Sequence, residues 1–195
     1  AGEWLVSRTG YTGEHGYELY LPYGDAVPCW EELLSKGTDL GVAPIGLAAR
    51  DTLRFEVCYC LYGHELGEDI SPLEAGINWA VKMKKKGGFM GRDALLAQYE
   101  NGVPRKLVCL ELDGKGIARQ DARVLVGGID VGFVTSGTFS PTLKKALALA
   151  LVKNDLPEGE LAVDVRGRHI PCHTVAFPFL SARTKGDPLA ERSLS

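Results

Sequence analysis

The sequence predicts an α+β fold, in which a mixed strand-and-helix layer is followed by a run of short antiparallel strands. Three observations predict it. Residues 4–9 and 17–22 alternate as strands around a loop with glycines at 10, 13 and 16. Two segments with apolar residues at helical spacing follow, from about 25 to 36 and from 46 to 57. Beyond Lys86 the pattern changes to short apolar runs separated by Gly, Asp and Pro turns, the grammar of a small barrel or sandwich.

The elements follow in order. In the second strand, Tyr17, Leu19 and Leu21 share one face and Glu18 and Tyr20 the other, so a sheet that buries the leucines turns Glu18 away from them. Asp25 is placed to cap a helix carrying Ala26, Val27, Trp30, Leu33 and Leu34, with Gly37 just past its end. After a turn with Pro44, a second helix over 46–57 groups Ala49, Leu53 and Val57 on one face and Arg50 with Arg54 on another. The run Lys82 to Gly88 reads as a solvated basic linker and marks a boundary between residues 1–86 and 87–195. A short helix over 91–99 then precedes strands at 106–112, 123–125, 131–135, 146–152, 160–165 and 170–177. The polar stretch 182–195 is expected to be loose.

Composition narrows the function classes. With 195 residues the chain suits one large domain or two small ones, and 45% hydrophobic with 24% charged residues is ordinary for a soluble protein. A net charge of -3 gives no case for nucleic acid or an anionic membrane, and the longest apolar run, near 146–152, is far too short for a span. The five scattered cysteines (29, 58, 60, 109 and 172) contain no Cys-x-x-Cys pair and suit reduced thiols. The chain starts directly in strand-like alternation without Met, as the interior of a longer chain would.

Most candidate chemistry falls away. His169 and His173 lie about 13 Å apart along a strand, with Cys172 on the opposite face, so they form no metal clip; Pro171 suggests an edge strand. His15 and His64 have no partner at catalytic spacing, and Ser136-Gly137 lacks the Gly-x-Ser-x-Gly pattern. The glycine loop opens a strand rather than a helix, so it is neither a Walker motif nor a dinucleotide fingerprint. That leaves Glu18 and Arg50. A carboxylate accepts two parallel N–H bonds and a guanidinium donates two, which suits a flat ligand with donors on one edge and acceptors on another. An internal ion pair explains the same two residues, as Asp51 and Arg54 illustrate at i, i+3.

The segment Ser7 to Glu18, with its Gly-Tyr-Thr-Gly-Glu core, resembles the aminomethyltransferase (T-protein) family of the glycine cleavage system. So do Gly46 to Arg54, Leu61 to Leu66, Ser71 to Trp79, Phe89 to Leu95, Gly116 to Arg119 and Val134 to Leu143, in the same order to about Phe179. The family is about twice as long, and this chain resembles its C-terminal half.

The resemblance implies a partial α+β folate-cavity domain followed by a small C-terminal antiparallel β-barrel domain. It implies transfer of a one-carbon unit from the aminomethyl-lipoyl arm of H-protein to tetrahydrofolate, with release of ammonia. It maps folate contacts onto Glu18 and Arg50, adds Tyr11 as a cavity wall, and leaves Arg183 as a candidate displaced by Leu180-Ser181-Ala182 from its usual spacing. The aspartate expected to assist the folate nitrogen belongs to the other half, so no catalytic residue is assigned, and the fragment alone is expected to be inactive. A bacterial cytoplasm or a mitochondrial matrix is the implied compartment. The same module occurs in demethylases and in dimethylglycine- or sarcosine-oxidising enzymes, and a non-catalytic folate-binding relative is the remaining alternative.

Overall fold

The computed structural model describes residues 3–184, which divide between Val57 and Cys58 into two units. The first takes in residues 3–57 with 181–184, the second 58–180. In the first unit, strands β1 (Leu5–Ser7) and β2 (Glu18–Tyr20) pair antiparallel in the register Leu5↔Tyr20, Val6↔Leu19 and Ser7↔Glu18. The alternation is present, but neither face is buried: Leu5, Val6, Leu19 and Tyr20 are all exposed.

Helix α1 (Tyr23–Gly37) begins earlier than the cap rule predicts. Pro22 is its N-cap residue, and its fixed φ of -54° leads the chain into the helix. Asp25 instead lies in the first turn, where a carboxylate suits the positive end of the helix dipole, and it accepts the Trp4 indole N–H at 2.8 Å. Gly37 is the last helical residue rather than the one after it. A 3₁₀ turn (Thr38–Leu40) follows, and Gly41 closes it in the left-handed region at φ 75°. The buried side of α1 is Cys29 and Gly37, while Val27, Trp30 and Leu33 stay at least half exposed. Helix α2 (Leu47–Glu56) ends in a fully buried trio, Arg54, Phe55 and Glu56. Arg54 donates to Asp51 from Nε at 2.8 Å and from Nη2 at 2.7 Å, as the i, i+3 spacing suggests.

The second unit is built on six strands: β3 (Arg105–Leu112), β4 (Arg123–Val126), β5 (Ile129–Ser140), β6 (Lys145–Lys153), β7 (Leu161–Val165) and β8 (Arg168–Val175). They close as an antiparallel barrel in the order β3-β6-β5-β4-β7-β8. Closure removes free sheet edges, and the interior is filled by Leu110, Val124, Val134, Ala148, Ala150 and Val163 among others. The continuous apolar run in β6 is buried on both faces from Leu147 to Val152, as such runs require.

Because the barrel is closed, β8 is not an edge strand: it pairs with β3 and β7. Pro171 is tolerated because the β3 ladder stops at Leu112↔Cys172, and the Pro171 carbonyl accepts the Asp113 N–H at 2.9 Å. His169 and His173 are exposed and Cys172 is buried, which agrees with their opposite faces. The wall that ends at Cys172 is dry enough to push its thiol up to about 12, burial contributing most and Asp113 next.

Residues 58–86 are tied to the barrel at several points. Ser71 and Glu74 form a capping box, in which the Glu74 carboxylate accepts the Ser71 N–H at 2.9 Å and Ser71 Oγ accepts the Glu74 N–H at 3.2 Å. The other Glu74 oxygen accepts Arg105 Nε–H of β3 at 2.7 Å, and the Glu74 carbonyl accepts the Leu107 N–H at 3.0 Å. Burial opposes ionisation of Glu74, but the Arg105 and Ser71 hydrogen bonds outweigh it and hold the carboxyl below the usual range. Helix α3 (Arg92–Asn101) follows the basic turn, whose lysines are exposed.

A register shift between Val134 and Ser136 takes Thr135 out of the β5–β6 pairing. The Thr135 carbonyl there accepts a 2.9 Å hydrogen bond from His64 Nδ1–H, with Ser136 Oγ at 3.3 Å from the same nitrogen. Sequence spacing hid this meeting across 72 positions. It is a tie and not a nucleophile–base pair, because a nitrogen that donates its proton to a carbonyl has no lone pair to take one from Ser136. Cys58 and Cys109 are free thiols with sulfurs 3.5 Å apart, and the Cys109 thiol is pushed up by that contact and then by burial.

Candidate functional site

The glycine loop 10–16 is held by its middle member. Gly13 has φ 74°, and a Cβ there would stand 2.5 Å from Val57 Cγ1, just past the end of α2. Only glycine satisfies both conditions. Gly10 and Gly16 meet nothing within 4 Å, so the three glycines, equivalent in the sequence pattern, are not equivalent in space.

Three of the sequence-predicted residues gather on this loop. Tyr11, in the loop and half-buried, lies under the Arg50 guanidinium, whose Cζ is 4.6 Å from the ring centroid. Arg50 reaches it from the exposed side of α2, whereas Arg54, one turn on, is buried on Asp51. The helical grouping of the two arginines therefore corresponds to no shared surface. Arg183 is also brought to the loop: its N–H donates to the Gly13 carbonyl at 2.8 Å, and its Nε lies 3.4 Å from Glu14 Oε1. With Ala182 buried, residues 182–184 are held in place against expectation; the rest of that expectation, 185–195, lies outside the described residues.

Glu18 stands in β2, exposed, on the face it shares with Ser7. Thr9 Oγ1–H donates to Glu18 Oε2, and Ser7 Oγ is 2.8 Å from Thr9 Oγ1. This hydroxyl relay fixes one carboxylate oxygen. No Glu18–Arg50 ion pair occurs among the described contacts, so the simplest internal explanation of the two charges does not hold in this structure. Thr9 and Glu14 are the members that sequence reasoning passed over. The hairpin register was the available signal for Thr9, since Ser7 opposes Glu18 and Thr9 falls two residues along the same face.

Chemically, the unit presents an anchored carboxylate and a guanidinium stacked on a phenol ring, both open to a ligand. Glu18 is an acceptor for N–H groups and Arg50 a donor to oxygen or ring nitrogen. None of these residues is a nucleophile or a poised acid–base pair, so the arrangement binds and orients. A separate cleft of about 540 Å³ in the barrel unit is lined by Arg119, Arg166 and Arg168 with Asp121 and Asp164, and contains none of the candidates. No helix among the described residues is long and apolar enough to cross a membrane.

Comparison with known proteins gives a consistent result. Residues 2–85 match the family model described as GCVT N-terminal domain, and residues 105–180 match the glycine cleavage T-protein C-terminal barrel domain. The chain is 51% identical over 177 residues to an aminomethyltransferase of Geobacillus sp. (strain WCH70), covering 90% of this chain and 49% of the relative. It is 52% identical over 183 residues to an aminomethyltransferase of Shouchella clausii, covering 93% and 50%. The crystal structure of glycine cleavage system aminomethyltransferase T from Bartonella henselae superposes with a TM-score of 0.83 at 34% identity, covering 92% of this chain and 50% of that one. The chain spans about half the length of the curated relatives it matches, and that half is their C-terminal one.

Proposed function

We propose, because the chain belongs to the aminomethyltransferase (glycine cleavage T-protein) family, that it supplies the folate-holding wall of an enzyme of one-carbon metabolism. The whole enzyme moves a one-carbon unit from the aminomethyl-lipoyl arm of H-protein to tetrahydrofolate and releases ammonia. Its folate-region portion is 1–86 and its barrel domain 87–195, a division supported by the family-model spans, which part between 85 and 105.

Two observations carry the reading: an anchored carboxylate in the strand that leaves the glycine loop, and a guanidinium stacked on a tyrosine within that loop. The donor set fits the ligand: a pterin shows an amino group and a ring N–H on one edge and acceptors elsewhere. Glu18, with Thr9 on Oε2, grips the donor edge through its remaining acceptor capacity. Arg50, steadied on Tyr11, meets acceptor groups of the ring or of the glutamate tail. Arg183, tethered to Gly13, adds a second cation beside the loop. Tetrahydrofolate supplies the nitrogen that takes the one-carbon unit; the residues of this chain orient it and do no bond-making themselves.

We assign no residue among those described to assist that nitrogen, and expect the chain alone to be inactive. The test is formation of methylenetetrahydrofolate from aminomethyl-loaded H-protein. We expect none with the chain alone, and turnover when the half of a relative that this chain does not match is added. Turnover by the chain alone would overturn the reading.

A further inference from the structure

The basic run that reads in the sequence as a solvated linker is a structured wall. Backbone hydrogen bonds fold it: the Met83 N–H donates to the Val81 carbonyl at 3.1 Å, Lys85 to Lys82 at 2.9 Å and Gly88 to Lys85 at 3.2 Å. Arg92, the first residue of α3, fastens it from the other side, its Nε–H donating to the Met83 carbonyl at 3.0 Å. This wall and α3 line a cleft of about 740 Å³, within the span of small-molecule sites. The cleft contains none of Tyr11, Glu18, Arg50 and Arg183.

Its lining has two parts. Leu73, Val81, Met83 and Leu96 are half-buried and supply an apolar floor, which Tyr99 extends. Leu96 and Tyr99 stand four and seven residues past Arg92, so one face of α3 runs from a cation to apolar and aromatic side chains over about 10 Å. Lys82, Lys84, Lys85 and Arg92 supply four positive charges, and no carboxylate lines the cleft, in a chain whose net charge is -3. Among the described residues Lys84 and Lys85 make no ion pair, and the Asp93 carboxylate paired with Arg92 lies 3.9 Å away and open to water. Uncompensated cations beside apolar surface complement an anion with an apolar body. Branched and thioether side chains suit a flexible chain better than a flat ring. Lysine ammonium groups are point charges that serve a carboxylate or a phosphate alike.

We propose that this cleft is a second ligand site, which takes a small amphiphilic anion: an acyl or alkyl chain along the floor and a carboxylate or phosphate head on the lysines. It needs no folate and no residue of the candidate folate site, so it stands or falls apart from that reading.

The test is calorimetric titration of decanoate and of decyl phosphate into the chain at about 50 mM salt. Saturable one-to-one binding with a Kd of about 0.1 mM is expected, and the tighter of the two probes identifies the head group. Acetate and inorganic phosphate, which are heads without a chain, should bind at least about tenfold more weakly. Lys84→Gln with Lys85→Gln, both exposed, should weaken the tighter probe at least about fivefold, and about 500 mM salt should also weaken it. Tyr99→Ala should cost about threefold or more. Lys115→Gln with Lys153→Gln, exposed and outside the cleft, should leave the affinity unchanged. Far-UV circular dichroism of each variant confirms that it is folded. The affinity should also stand when the half of a relative that this chain does not match is added. No saturable binding, indifference to the Lys84 and Lys85 substitutions, loss of binding with the added half, or displacement of the probe by poly-glutamate would overturn the proposal.

Discussion

Replacing Gly13 with alanine tests how the glycine loop is built. The residue sits at φ 74°, where a side chain costs about 1 kcal/mol relative to glycine. Its new Cβ would lie 2.5 Å from Val57 Cγ1 and 3.1 Å from Cγ2, and the branched valine has no flexible end to move away. Overpacking of this kind costs about 1–3 kcal/mol. If the loop shifts to relieve the clash, the Gly13 carbonyl leaves the Arg183 N–H and about 1 kcal/mol of hydrogen bonding goes with it. The sum is about 2–4 kcal/mol. In urea denaturation followed by circular dichroism, that corresponds to a midpoint lowered by about 1 M or more. Gly10→Ala and Gly16→Ala are the controls, because a Cβ at either meets nothing within 4 Å, and each should stay within about 0.5 kcal/mol of the parent. A Gly13→Ala midpoint equal to those two would refute the reasoning.

Two further predictions concern the barrel unit. Gly137→Ala should cost at least about 3 kcal/mol, since its Cβ would fall 2.0 Å from the backbone oxygen of Ala118; an unchanged thermal midpoint would contradict the close approach. The Glu74–Arg105 pair should make stability depend on acid. Glu74 has its pKa lowered in the folded chain, so its contribution is fully present above the unfolded value of about 4.3 and is lost as pH falls through the lower folded value. Arg105→Ala should cost about 1–3 kcal/mol at pH 7 and flatten that acid limb; a parallel limb in the variant would show that the pair is not its source.

Much of the fold was legible because apolar periodicity decides local structure. The six barrel strands, three helices and the opening hairpin all lie where alternation or helical spacing put them, to within a few residues except in β5, which extends well past its predicted span. What escaped was set by distant partners. Asp25 looked like a cap by its neighbours but is a first-turn acceptor for Trp4, and Pro171 looked like an edge marker until closure of the barrel put strands on both sides. At the site, residue types and motif order picked out Glu18, Arg50, Tyr11 and Arg183. The Thr9 anchor, the Tyr11–Arg50 stack and the Gly13–Arg183 bond depend on how the loop meets α2 and residues 181–184, which no local pattern encodes. The apolar stripe of α1 shows the limit from the other side: its spacing was read correctly, but Val27, Trp30 and Leu33 stay at least half exposed among the described residues.

The most direct test of the central claim is calorimetric titration of tetrahydrofolate into the chain assembled with the first half of a relative, comparing the parent with Glu18→Gln. The variant keeps the shape and an oxygen for Thr9 but turns the other acceptor into an N–H₂ donor facing the donor edge of the pterin. The account predicts affinity weaker by at least about tenfold, the loss of a charge-assisted hydrogen bond of about 1.5–3 kcal/mol. Unchanged affinity would contradict it and remove Glu18 from the folate site.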